Sequence, residues 1–190
     1  YGSIEVQKND TNGKGLAGAY FVATSQKDGT QYLIGPTDAS GHGSSIERIP
    51  YGQYTVKETV FPANYRAYGQ TEWTVTVSAA NNGVVRFTAV NEEIPGNVKI
   101  VKESEDGKTS GIRLNISGNG VNEDVVTGPD GSITVKDLKP GTYTVSEYEY
   151  EGYVPQPPQT VTVVSGGTSI VTFSNLLQRG NLVVTKTSED

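Results

Sequence analysis

The sequence predicts an all-β protein made of repeated β-sandwiches, and three observations carry that prediction. Apolar and polar residues alternate over short runs such as SIEVQ, WTVTV and YTVKE, the period of a strand with one buried face. NG, DG, GG and PG punctuate the runs, and no stretch sustains a 3.6-residue period, so little helix is expected. The opening YGSIEVQKND returns as GNVKIVKES and again as GNLVVTKTS. The repeats divide the chain into 1–95, 96–179 and 180–190: two complete units and the truncated first strand of a third. A unit of that size buries a core unaided, though with modest margin.

Taken in order, the first strand of each repeat starts at a Gly (Gly2, Gly96, Gly180) and carries a Lys six residues later (Lys8, Lys102, Lys186). Ile4 and Val6 share a face with Lys8, Val98 and Ile100 with Lys102, and Leu182 and Val184 with Lys186. Alternation therefore sends each lysine toward the core side. GKGLAGAYFVA and GKTSGIRLNIS read as second strands entered through a Gly turn. PYGQYTVKET and KPGTYTVSEY form the next landmark. There Glu58 lies on the apolar face of Tyr54 and Val56, and Glu147 on that of Tyr143 and Val145.

WTVTVSA and QTVTVVS read as penultimate strands, with NNG and SGG where hairpin turns belong. The closing strands VRFTAVNEE and SIVTFSNLL place Asn91 in line with Phe87 and Ala89, and Asn175 in line with Val171 and Phe173. Glu92 is a rival to Asn91 but has the opposite parity. The connectors IPG and LQRG are too short for floppy linkers and predict a semi-rigid string of units.

Composition excludes several functions. A net charge of −6 without a basic patch argues against a nucleic-acid partner. No apolar run is long enough to span a membrane, and none reads as a signal peptide. A chain with no starting Met and a third repeat cut short reads as a fragment of something longer. Without cysteine there is no disulfide.

His42 is the sole histidine, in the loop sequence SGHGSS, which leaves hydrolase chemistry without a general base. The chain therefore reads as no enzyme, with no cofactor. DTNGKG resembles half a calcium loop but lacks the later acid, so a plain Asn-Gly turn is expected and no metal. Trp73 and the tyrosines read as core and cross-strand pairs before a binding platform. VPQPPQ reads as a loop.

Two units thus repeat one constellation: Lys on the first strand, Glu in mid-chain and Asn on the last. A Lys in an apolar core shifts toward the free amine, a nucleophile, and a Glu there shifts toward the protonated acid. Such an acid polarises an Asn side-chain carbonyl and shuttles protons. Attack by the amine with loss of ammonia leaves an isopeptide bond, and proximity in the core supplies the effective molarity.

The order of these motifs resembles the collagen-adhesin B-type (Cna B-like) domain, also called the SpaA-like pilin domain, of Gram-positive surface proteins. YTVKETVFPANY resembles that family's E-box, Tyr-x-Leu-x-Glu-Thr-x-Ala-Pro-x-Gly-Tyr, departing at Val56, Phe61 and Asn64. YTVSEYEYEGY keeps Tyr143, Glu147, Gly152 and Tyr153 without the Thr and Pro. The resemblance implies immunoglobulin-like sandwiches, each with a Lys–Asn bond between first and last strands promoted by a buried Glu. It assigns Lys8 and Asn91 with Glu58, and Lys102 and Asn175 with Glu147. The partners of Lys186 would lie past this chain. It further implies an extracellular, cell-wall-attached stalk of an adhesin or pilin, monomeric, whose partners are neighbouring repeats of the same polypeptide. A ligand-binding module for host matrix protein or glycan is the alternative, and an exposed aromatic cluster or concave groove would mark it.

Overall fold

The computed structural model describes residues 1–188, which form two compact units divided between Ile94 and Pro95. Each unit is a pair of β-sheets enclosing its own core, as the alternating runs predict.

In unit 1, β1 (Ser3–Asp10), β4 (His42–Ser44), β6 (Tyr65–Ala67) and β8 (Val84–Glu93) make one sheet in the order β4-β1-β8-β6. The facing sheet is β3-β2-β5-β7, from β2 (Tyr20–Ser25), β3 (Gln31–Ile34), β5 (Gly52–Val60) and β7 (Glu72–Val77). Burial follows the pleat: Glu72, Thr74 and Thr76 of β7 are exposed while Trp73, Val75 and Val77 are buried. Trp73 belongs to this core, packed at ring-centroid distances of 6.0 Å from Phe21 and 5.0 Å from Phe87.

Unit 2 repeats the plan with a three-stranded sheet, β12-β9-β15, from β9 (Gly96–Ser104), β12 (Ser132–Leu138) and β15 (Thr168–Asn175). Its partner sheet is β11-β10-β13-β14, from β10 (Arg113–Gly118), β11 (Val121–Val126), β13 (Gly141–Glu147) and β14 (Gln159–Val163). The sandwich lacks a counterpart to β6 among the described residues.

The first and last strands of each unit pair in parallel, β1 with β8 and β9 with β15. This overturns the hairpin expectation at NNG and SGG. β7 pairs with β5 and β8 with β1, so the Ala80–Gly83 turn carries the chain from one sheet to the other. The SGG connection does the same between β14 and β15. Two alternating strands joined by a short turn satisfy their apolar faces equally well across a core as side by side.

The repeated Gly has a steric cause. A Cβ on Gly2 would lie 2.0 Å from Gly83 O, and one on Gly96 2.2 Å from Val164 O, so only glycine lets the first strand pass this crossover. The recurrent tyrosine also has one. Tyr54 is buried and donates to Pro50 O at 2.8 Å, and Tyr143 donates to Lys139 O at 2.8 Å, satisfying a hydroxyl attached to a core ring. Residues 180–188 adopt no strand, and Leu182, Val183 and Val184 are exposed. A lone strand has no ladder to complete.

Candidate functional site

In unit 1, Lys8 on β1 and Asn91 on β8 sit in the same sheet, and the parallel register sets Lys8 opposite Ala89, two residues before Asn91. Both side chains face the core: Lys8 is 0% and Asn91 1% exposed. Glu58 reaches them from β5 in the facing sheet. Its Oε1 lies 3.1 Å from Lys8 Nζ and accepts a hydrogen bond from Asn91 Nδ2 at 3.1 Å, and Oε2 accepts one from Lys8 Nζ at 3.2 Å. One carboxylate thus holds amine and carboxamide together, no more than two hydrogen-bond lengths apart. The Phe21 ring lies 5.9 Å from Lys8 Nζ and excludes water from that side.

Unit 2 builds the same arrangement in the same register, with Lys102 opposite Phe173, two residues before Asn175. Lys102 Nζ lies 3.4 Å from Glu147 Oε2, and Asn175 Nδ2 donates to Glu147 Oε1 at 2.6 Å. Lys102 Nζ also donates to Phe173 O at 3.5 Å.

Burial dominates the electrostatics. It lowers the Lys8 amine from its ordinary value, opposed by attraction to Glu58, and raises the Glu58 carboxyl, opposed by Lys8. Both shifts move the pair toward a free amine beside a neutral acid, the combination that nucleophilic attack needs. Lys102 is lowered for the same reason, opposed by Glu147. Among the described residues, no hydrogen bond reaches Asn91 Oδ1 or Asn175 Oδ1. Turning either carboxamide about its last torsion presents that oxygen to the glutamate, where a protonated acid would donate to it.

The remaining candidates fall elsewhere. Glu92 turns to the opposite face, where its Oε1 accepts from Arg66 Nε at 2.7 Å. Asp10 caps its own loop by accepting from Asn12 N and Lys14 N, and no group of acids and histidines able to hold a metal occurs among the described residues. Lys186 is exposed. Sequence reasoning missed β6 and a cleft beside Asn175 with a volume of about 580 Å³, partly lined by Tyr150 and Tyr153. Neither leaves a periodic signal.

The two-sheet sandwich, built twice with the same Lys–Glu–Asn cluster, defines a class of β-sandwich domain. The SpaA prealbumin-like fold domain matches residues 2–93 and again 96–176, and the chain belongs to that family. Among solved structures, the Bacillus anthracis TIE protein is similar at 21% identity and a TM-score of 0.62, covering 92% of this chain and 34% of that one. A streptococcal ancillary pilin is 21% identical with a TM-score of 0.43, covering 92% and 62%. GBS52, the minor pilin of Streptococcus agalactiae, is 16% identical with a TM-score of 0.41, covering 98% and 100%. The chain therefore spans about a third of the TIE protein structure that it matches. No curated protein matches the sequence.

Proposed function

We propose that the chain is a structural stalk segment of a Gram-positive cell-surface adhesin or pilin, each complete unit stapled by a self-generated isopeptide bond. One observation carries the reading: in both units a single buried glutamate contacts the Lys amine and the Asn carboxamide in the same register. Membership of the SpaA domain family supports it.

The neutral Lys8 amine attacks Asn91 Cγ while protonated Glu58 donates to Oδ1. The Nζ–Cγ bond forms, the Cγ–Nδ2 bond breaks, and Glu58 carries the amine's proton to Nδ2, which leaves as ammonia. Lys102, Asn175 and Glu147 repeat the sequence. The reaction runs once per unit, so the protein is a substrate of its own chemistry and no enzyme.

The bond serves load. A pull entering at Gly2 runs along β1 to Lys8, crosses to Asn91 and leaves at Ile94, sparing residues 9–90. Parallel pairing of β1 with β8 puts their ladder in shear along the same path. The partners of such a segment are the neighbouring repeats of its own polypeptide. Lys186, at the start of a third repeat, stays unreacted within this chain.

Intact mass tests the reading. The purified chain is expected to lack two ammonia molecules, and Glu58→Ala and Glu147→Ala one each. A mass with no ammonia lost sinks it. The concave cleft with Tyr150 and Tyr153 favours the second reading, a ligand-binding module, which a glycan and matrix array tests.

A further inference from the structure

The two centres share their residues and register but differ in their cover. In unit 1, β6 closes the outer edge of β8, pairing Ala67 with Asn91 and Arg66 with Glu92. Phe21, which pairs with Glu58, packs edge-on against Phe87 and Trp73 and completes an aromatic wall.

In unit 2 the connection from β13 to β14 forms no strand and meets the chain after β15 through the single bridge Tyr153–Leu177. Leu114 pairs with Glu147 where Phe21 pairs with Glu58, and Gln159 pairs with Val145 where Trp73 pairs with Val56. The cleft of about 580 Å³ opens between Lys108–Ser110 and Tyr150–Tyr153 and reaches Asn175. Asn175 is 5% exposed against 1% for Asn91, and its Oδ1 accepts no hydrogen bond among the described residues, while Glu147 Oε2 faces Lys102 Nζ at 3.4 Å. A recess far larger than one water, bordered by an Asn side chain whose oxygen has no partner among the described residues, meets the conditions for hydration.

Hydration matters because the ammonium–carboxylate pair is unreactive and the amine–acid pair is the reactive form. Water near the pair stabilises its charged form. We propose that the unit 2 centre is hydrated through this cleft while the unit 1 centre is dry, so the Lys8–Asn91 bond closes first and the Lys102–Asn175 bond closes later, at a rate set by cleft occupancy. This rests on the cross-linking reading above.

Cell-free translation of the full chain, pulsed, quenched in denaturant at intervals and mapped by peptide mass, reports ammonia loss from each unit separately. Hydration that favours the ammonium–carboxylate form depletes the reactive amine–acid form, so unit 2 is expected to react at least about tenfold more slowly than unit 1. Ser110→Trp, which fills the cleft, is expected to narrow that difference in rate. Glu151→Trp does so from the opposite wall and serves if the first variant does not fold. Equal rates, a faster unit 2, or folded cleft-filling variants that leave unit 2 unchanged or slower overturn the proposal alone. Ammonia lost from neither unit overturns the cross-linking reading and this proposal with it.

Discussion

Replacing Glu58 with Gln keeps the side chain's length but removes the carboxyl proposed to shuttle protons between Lys8 and Asn91, whose amine and carboxamide it contacts at 3.1 Å each. The staple it prevents would close residues 8–91. By analogy with a disulfide, a loop of that length restricts the unfolded chain by about 4–5 kcal/mol. One kcal/mol moves the midpoint of a domain this size by about 4–8 °C, so the unit 1 transition is expected to fall by roughly 16–40 °C. Scanning calorimetry of Glu58→Gln beside the wild type measures this, with unit 2 as the reference in the same molecule. Intact mass on the same sample must show one ammonia regained. The reasoning is refuted if that ammonia stays lost, or if it is regained and the unit 1 transition does not move.

Other outcomes follow from the same geometry. Under force in single-molecule pulling, the wild-type chain is expected to show no extension from residues 9–90, whereas Glu58→Gln releases about 290 Å from them; equal contour lengths contradict the load path. Asn91→Ala leaves Lys8 and Glu58 unbonded, with the amine lowered below 10.5 and the carboxyl raised above 4.5. The unfolded chain then holds the extra proton between the folded Lys8 value and 10.5, so stability rises with pH through that window. The folded chain holds it between 4.5 and the folded Glu58 value, so stability falls with rising pH there. Denaturant titrations across pH check both slopes, and a wild type carrying the proposed bond is expected to lack the alkaline one. Gly96→Ala drives a Cβ into Val164 O and is expected to destabilise unit 2 by about 1–3 kcal/mol, read from its urea midpoint. Tyr143→Phe leaves Lys139 O without its donor and is expected to cost about 1 kcal/mol by the same assay.

Local rules made much of this protein legible. Strand parity placed Lys8, Asn91, Lys102 and Asn175 on the apolar faces, and the structure buries all four. Repetition within the chain sharpened the reading, because a Lys on an apolar face at one position is unremarkable and at two aligned positions is a pattern. The hairpins at NNG and SGG were misread because a short turn specifies how the chain reverses but not which neighbour completes each strand's ladder. Partner choice rests on burial of residues far apart in sequence, as where β1 meets β8 across most of unit 1. The short strand β6 and the cleft at Asn175 left no pattern because both arise where loops pack.

The sequence by itself determined the all-β class, the two units, the glycine and tyrosine positions and the faces of the charged residues. Each follows from pleat, turn sterics and side-chain chemistry within a few neighbours. Only the tertiary structure decided that the first and last strands run parallel, that a glutamate from the facing sheet contacts both Lys and Asn, and that the two centres differ in cover. Those depend on closing loops of tens of residues around a core, where the packing of distant segments outweighs any local preference.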